Sequence, residues 1–527
     1  MIKILTAKQM QEVDRQTVEE CNLKSIDLME TAAGAVVENI CEIFGNQRKK
    51  RAVVFCGPGN NGGDGAAISR LLYGFGWNVT AVLSCEIINT RGDARTKFER
   101  LSELQGATGF RIIEVSQLCE FLGSEILCDL CVDAIFGTGL SRSVEGSFLS
   151  IIEKINSMRK TDLDLTIIAV DIPSGLDSDS EVPIGAHVFA DYTVSFTAPK
   201  LANVFPPASR SNGIVKVAEI GSPPRLVDKF ESENYLITED DLAGWMNQTQ
   251  FSADSYKGAR GSVLIIAGSK NYSGAPVLAA NAAVRSGAGL VTLVVPNVIR
   301  EEVASRISPE VMIHECDSAE DGTFGEGASK NIEELLKRAD AILIGCGLDA
   351  KGRFVTDLVN NVIKTDSAPL VIDADGLNAI APLNSPLKRK NTVLLTPHIG
   401  EFRRLSGNEA VENRIEELRE FACAVNANIL LKGEASIIAS TNGRIAINAP
   451  TSPAVGKGGA GDTLSGLITG FVAQGARFSI EPFTTCAAAI YFAGLAGKCA
   501  EEKFGGRVMI PSDVRDCFSD VFKRFEI

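Results

Sequence analysis

Along this chain, short apolar runs repeatedly end in clusters of glycine and polar residues, and helical patterns follow many of them. "AVVFC" leads into "GPGNNGGDG", "VDAIF" into "GTGLSRS" and "TIIAV" into "DIPSGLDS". Later come "GSKNYSGA", "GCGLD", "DADGLN", "TPHIGE" and "KGEAS", again where strand-like runs end. Continuously apolar strands need cover on both faces, and intervening helices supply it. The pattern predicts an α/β chain with mostly parallel sheets. In such sheets ligands bind beyond the carboxyl ends of the strands.

The series divides in two. Its first strands are predicted at "AVVFCG", "VTAVLS", "FRIIEV", "LCVDAIFG", "LTIIAVD" and "DYTVSF", with helical stretches such as "DGAAISRLLYGFG" and "SFLSIIEKINSMR" between them. It closes with "GIVKVAEIG", and "SPPRLVDKFESEN" then breaks both pattern and apolarity, as a linker does. A second series runs from "GSVLIIAGS" through "LVTLVVP", "AILIGCG", "PLVIDADG", "TVLLTPH" and "NILLKG". In "ASIIASTNGRIAIN", Asn442-Gly443 predicts a hairpin with a type I′ turn, which makes the second sheet mixed. Two or three domains suit 527 residues. Two α/β halves suggest two sites, one per half.

Composition narrows the classes. Hydrophobic residues at 45% and charged residues at 22% are globular values. A formal net charge of −14 argues against a broad nucleic-acid surface, though helix N-termini can still bind anions locally. The thirteen cysteines form no framework, as suits reduced thiols of the cytoplasm. Cys128 and Cys131 are expected to be packed, inert thiols, and three scattered histidines do not make a His-rich metal site. The first residues lack an apolar core with a cleavage site, and "TAKQ" (6–9) reads as a capping box. The run 483–497 is shorter than a spanning helix requires, so no membrane partner is expected.

The first cluster contains G-x-G-x-x-G (Gly57 to Gly62), and Glu86 stands where a ribose-binding acid is sought. Alone, this motif also fits an ordinary dinucleotide turn or a packing turn. "GPGNNGGDG", "VDAIFGTGL" and "VDIPSGLDSD" in order, with "LME" and "FTAPK", resemble the Rossmann-like NAD(P)H-hydrate epimerase domain of the YjeF N-terminal type, over residues 1–223. The resemblance implies inversion at C6 of hydrated NADH or NADPH (NADHX, NADPHX). It implies substrate contacts at Asn60, Asn61, Gly62, Gly63, Asp64, Gly137, Thr138, Gly139, Leu140, Ser141, Arg142, Ser143 and Asp171, and a K+ site at Asn61, Asp133 and Ser174. Inverting a hemiaminal carbon needs a group that gives and takes a proton, and Asp171 is the candidate. Asp171 could instead fix the loop or bind ribose. Ser143 replaces a frequent proline.

"GGAGDTLSGLITGF" (458–471) opens a helix with Gly-Ala-Gly-Asp, a start whose N–H groups suit an anion. With "GSKNYSGAPVLAANAAVRSGAGLV", "DADGLN", "TPHIGE" and "LLKGEAS", it resembles the ribokinase-like, ADP-dependent NAD(P)H-hydrate dehydratase domain over residues 233–524. That implies hydrate contacts at Ala275, Gly347, His398 and Asp462, and adenine nucleotide contacts at Lys432, Gly433, Glu434, Ala435, Ser436 and Gly461. Asp462 would activate the C6 hydroxyl for phosphorylation by ADP, with Mg2+, and phosphate would then leave. His398 could alternatively be a helix-capping or core histidine. Tyr256, Cys346 and Glu434 depart from the usual residues at their positions.

The expected protein is thus a cytoplasmic, bifunctional cofactor-repair enzyme, a homo-oligomer acting on NADHX and NADPHX with ADP. Its alternatives are a ribokinase-like kinase for a vitamin or sugar with a regulatory first domain, and a non-catalytic nucleotide-binding scaffold. A plain NAD-dependent dehydrogenase lacks support beyond the opening glycines.

Overall fold

The computed structural model describes residues 1–45, 50–230, 232–252, 255–411, 413–449 and 455–526. It divides into two compact units, residues 2–232 and, with Met1, residues 233–527.

In the first unit, strands β1 (Arg51–Cys56), β2 (Asn78–Leu83), β3 (Phe110–Ile113), β4 (Leu130–Ala134), β5 (Thr166–Val170), β6 (Tyr192–Phe196) and β7 (Ile214–Ala218) form one sheet in the order β3-β2-β1-β4-β5-β6-β7. Every pairing is parallel. Alternate residues of β1 serve opposite faces. Val54 and Cys56 pack with Val36 and Ile68 of the helices Ser25–Phe44 and Asn60–Gly74. Val53 and Phe55 pack with Ile151 and Ile155 of the helix Gly146–Thr161. This double cover is why the strands read as unbroken apolar runs. The strand order reverses between β1 and β4, so a crevice opens beyond their carboxyl ends. Before the sheet, Thr6 and Gln9 form the expected capping box at the start of the helix Ala7–Cys21.

Two glycines of the opening motif are required by close backbone approach. A Cβ on Gly57 would fall 1.8 Å from Ile135 O, and one on Gly62 would fall 1.8 Å from Gly57 O. No side chain can yield there, because the obstacle is backbone. Gly62→Ala is therefore expected to cost the first unit about 1–3 kcal/mol, seen as a lower urea midpoint in the full chain.

The second unit contains β8 (Asn234–Leu236), β9 (Ser262–Ile266), β10 (Leu290–Pro296), β11 (Val311–Cys316), β12 (Ala341–Ile344), β13 (Leu370–Ile372), β14 (Val393–Leu395), β15 (Asn428–Leu431), β16 (Ser436–Ala439) and β17 (Ile445–Asn448). Their order is β8-β17-β16-β15-β14-β13-β12-β9-β10-β11. Only β15–β16 and β16–β17 are antiparallel among these pairs.

The β16–β17 hairpin is as expected, but its turn is not. A type I′ turn needs positive φ at both central residues. Here Gly443 has φ +87°, while Asn442 is not among the positive-φ residues. Gly443 N donates to Ser440 O at 3.1 Å and Ser440 N to Arg444 O at 2.9 Å. The loop is thus one residue longer, with glycine closing it.

The apolar run near the C-terminus belongs to a 23-residue helix, Pro482–Phe504, longer than expected and long enough to cross a membrane by length and composition. Phe483, Cys486, Ile490, Phe492 and Ala496 are nevertheless buried in the core of this unit. There Phe492 packs against Phe471 of the helix Ala460–Arg477, with ring centroids 5.4 Å apart. Cys128 and Cys131 are buried, and burial pushes the Cys128 thiol up to about 12, consistent with packed thiols.

Candidate functional sites

The first site lies beyond β1, β4 and β5. The helix Asn60–Gly74 begins one residue after Gly59, with Asn60 exposed and Asn61, Gly62, Gly63 and Asp64 buried. At the end of β4, Asp133 is fully buried. Its Oδ1 accepts from Ser174 Oγ at 2.6 Å, and its Oδ2 from Ser174 N at 2.8 Å. Burial pushes its carboxyl up to about 6 against the pull of those bonds. Asp171 follows β5 with φ +68°, a conformation uncommon for a residue other than glycine. A Cβ built on Gly137 would lie 3.4 Å from Asp171 Oδ2 and 3.5 Å from Asn61 Oδ1. A helix start and two loops therefore meet around one small space that glycine leaves open.

The structure joins Asp133 to Ser174 directly and brings Asn61, Gly137 and Asp171 together. Asn61 Nδ2 is buried with no hydrogen-bond partner among the described residues. In the rest of the expected loop, Gly139, Ser141, Arg142 and Ser143 are exposed, while Thr138 and Leu140 are half-buried. Ser143, the residue replacing proline, tethers the loop by donating from Oγ to Ile184 O at 2.6 Å.

Two residues of this site had no role assigned from sequence. Lys200, the last residue of "FTAPK", is 1% exposed and donates from Nζ to Asp171 Oδ1 at 2.6 Å, Ser195 Oγ at 3.0 Å and Phe196 O at 3.1 Å. Asp14, on the helix Ala7–Cys21, has a buried Oδ1 without a hydrogen-bond partner among the described residues. Burial raises its carboxyl to about 6, with Lys200 opposing and Asp171 adding. Asp64 is pushed well above the usual carboxylate range by burial and then by Asp171, against Lys97. Three carboxyl groups thus influence one another, with Lys200 bound to Asp171. "FTAPK" could have drawn attention to Lys200. Nothing in the sequence marks Asp14.

The second site lies beyond the strand ends of the second sheet. Lys432 follows β15 and donates from Nζ to Asp373 Oδ1 at 2.7 Å, while Asp373 Oδ2 accepts from Ser465 Oγ at 2.6 Å. Burial works against the Lys432 charge, but Asp373 outweighs it and the ammonium is held above its usual range. A Cβ on Gly461 would come 3.5 Å from that Nζ, so the lysine faces the start of the helix Ala460–Arg477. In its first turn, Asp462 is raised to about 6 by burial and then by Asp373; the Cys346 thiol and the Lys432 charge pull it back. Cys346, which replaces proline, therefore lies close enough to influence the Asp462 carboxyl.

His398 caps the helix Ile399–Ser406. Its Nδ1 accepts from Gly400 N at 3.0 Å and Glu401 N at 3.3 Å, and its backbone N donates to Glu401 Oε2 at 2.9 Å. It is also half exposed and lines a cavity of about 470 Å³. The helix-capping alternative thus describes this histidine without removing it from the site. Lys432, Gly433, Ser436 and Gly461 line the same cavity. Its far wall is apolar: Leu464, Leu467, Ile490, Met509 and Phe518. Leu464 and Leu467 lie within the glycine-rich run 458–471, whereas Ile490, Met509 and Phe518 come from later segments without a recognisable motif, so no sequence pattern groups the wall. Glu434 and Ala435 are not among the lining residues; Glu434 is exposed and Ala435 buried at the turn into β16. Ala275 and Gly347 meet elsewhere, since a Cβ on Gly347 would lie 3.0 Å from the Ala275 Cβ. Asp462 also stands outside the cavity lining.

A base must be ionised to accept a proton. If Asp462 serves as one, turnover of the second site should rise as pH increases through about 6, and Asp462→Asn should remove this limb from the pH profile. Stability should move oppositely for this group. A carboxyl raised by folding contributes most below its unfolded value, and that contribution is lost as pH rises through about 6.

Residues 263–518 match the family described as NAD(P)H-hydrate dehydratase, and residues 25–202 match that described as YjeF-related protein N-terminus. The chain is 35% identical to the bifunctional NAD(P)H-hydrate repair enzyme Nnr of Moorella thermoacetica, over 99% of this chain and 97% of that one. It is 34% identical to the enzyme of the same name from Salinibacter ruber, over 97% and 95%. Among solved structures it is similar to the ADP/ATP-dependent NAD(P)H-hydrate dehydratase of Bacillus subtilis, co-crystallised with ATP and Mg2+. That match is 30% identical, covers 55% of this chain and 99% of that one, and has a TM-score of 0.48.

Proposed function

The chain belongs to the family of bifunctional NAD(P)H-hydrate repair enzymes, and from that membership we infer how its two units divide one repair. The first unit epimerises the R and S hydrates at C6. The second dehydrates the S form to NADH or NADPH, converting ADP to AMP and phosphate. The observation that carries the second assignment is the Asp462, Lys432 and Asp373 cluster beside a cavity with an apolar far wall.

In the second unit, Asp462 takes the proton of the C6 hydroxyl as its oxygen attacks the β-phosphorus of ADP. Lys432 balances charge on the transferred phosphoryl group, and the helix start at Gly461 presents backbone N–H groups to it. Adenine fits the apolar wall. AMP leaves from phosphorus. The C6–O bond then breaks, driven by the ring nitrogen lone pair, and loss of a proton from C5 restores the C5–C6 double bond. Mg2+ would neutralise the nucleotide phosphates. Ala275 and Gly347 would hold the nicotinamide end, with His398 at its edge.

In the first unit, Asp171 is the proton carrier at C6, and Lys200 fixes its orientation. The loop from Gly137 to Ser143 and the run from Asn60 to Asp64 would enclose the hydrate. A K+ ion suits the oxygen donors of Asn61, Asp133 and Ser174, whereas the unpartnered Asn61 Nδ2 is a donor that would serve an acceptor of the hydrate and not a cation. Bound, K+ would supply fixed positive charge beside the crevice.

The kinase alternative is separable by products. S-NADHX and ADP should yield AMP, free phosphate and NADH in equal amounts. A stable phosphorylated hydrate without free phosphate would favour the kinase.

A further inference from the structure

The second unit carries a separate, smaller pocket of about 250 Å³, lined by Asn281, Arg285, Arg306, Ile307, Ser308 and Arg515. Three arginines and no carboxylate line it, in a chain with a formal net charge of −14. Nearby acids are engaged around its rim. Glu302 accepts from Arg306 Nη2 at 2.8 Å, Asp516 accepts from Arg515 Nη2 at 2.6 Å, and Glu310 accepts from Ser308 Oγ.

Donors remain after those bonds. Arg285 has no ion-pair partner among the described residues, although Glu310 lies near enough to feel its charge. Arg306 bonds through Nε and Nη2 and Arg515 through Nε and Nη2, which leaves Nη1 of each without a partner among the described residues. Asn281 Oδ1 accepts from Ser308 N at 2.8 Å, so its amide nitrogen is also available. A concave set of forked guanidinium donors is matched to a phosphate group.

Its position ties it to the proposed substrate site. Arg306 Nη2 donates to Ser273 Oγ at 2.9 Å, two residues before Ala275. Asn281 and Arg285 lie six and ten residues beyond Ala275 on the helix Gly274–Arg285, about 9 and 15 Å along its axis. Arg515 belongs to the helix Pro511–Asp516, whose Pro511 and Val514 line the nucleotide cavity. A dinucleotide seated with its nicotinamide at Ala275 can run along this helix and place phosphate among the arginines.

We propose that this pocket binds a phosphate group of the hydrated dinucleotide and sets its affinity for the second unit. The proposal rests on the dehydratase reading. It is tested in the full chain with Arg285→Gln and the double variant Arg285→Gln/Arg515→Gln, neither of which touches the residues assigned chemistry. Steady-state rates are measured with S-NADHX and S-NADPHX at saturating ADP. Inorganic pyrophosphate and 2′-AMP are titrated calorimetrically with ADP present, so that the larger cavity is filled.

The double variant should raise KM for hydrate at least about tenfold with kcat retained, and should weaken binding of the matching probe similarly. A rise confined to S-NADPHX, with loss of 2′-AMP binding, assigns the 2′-phosphate. A rise for both hydrates, with loss of pyrophosphate binding, assigns the pyrophosphate. Unchanged KM for both hydrates overturns the proposal, even where probe binding is lost, since the pocket then serves free phosphate compounds. If the wild type recovers no reduced cofactor, the dehydratase reading fails and the proposed substrate role falls with it. The titrations then report separately whether the pocket binds anions.

Discussion

Asp462→Asn should lower ADP-driven recovery of NADH from S-NADHX by about 10²–10⁴-fold, the usual contribution of a positioned base. Asparagine has nearly the same shape but cannot accept the hydroxyl proton. The native carboxyl is poised at about 6, raised by burial and by Asp373 and restrained by Cys346 and Lys432. Near neutral pH it is therefore mostly ionised, yet basic enough to take a proton. The substitution leaves the Lys432–Asp373 pair at 2.7 Å in place. ADP affinity should change little, and epimerisation by the first unit should persist. A large loss of ADP binding with kcat unchanged would instead make Asp462 a nucleotide ligand.

Asp171→Asn should abolish most R-to-S conversion, by about 10²-fold or more, while dehydration of S-NADHX continues. It should also destabilise the first unit, because Lys200 is 1% exposed and would lose its charged partner at 2.6 Å. Removing one member of a buried pair costs about 3–5 kcal/mol. Activity and stability can be separated by adding Lys200→Met. The double variant should regain much of the urea midpoint, since no buried ammonium is left unpaired, but should regain no epimerisation. If epimerisation returns with stability, Asp171 serves the fold and not the reaction.

The architecture was legible because parallel strands covered on both faces must be apolar throughout, as Val53 to Cys56 are. Where the chain doubles back at residues 440–444, Asn-Gly announced a hairpin, but Ser440 and Arg444 bond across a longer loop. Local dipeptides do not register such pairing. The site residues were legible as motifs at strand ends. Their electrostatic partners were not, because Lys200 meets Asp171 across 29 positions and Asp373 meets Lys432 across 59. Asp14, which feels the charges of Lys200 and Asp171, lies on a helix whose sequence shows a capping box and nothing of a site. The apolar wall of the larger cavity was hidden for a related reason: Leu467, Ile490 and Phe518 come from three helices and look like ordinary core positions.

The most direct test of the two-unit repair is a single reaction. R-enriched NADHX is given to the purified chain with ADP, and absorbance of the reduced nicotinamide is followed to its end point. Complete recovery is predicted, because the first unit continually supplies the S form that the second consumes. No recovery from either epimer, with ADP or with ATP, would contradict the account.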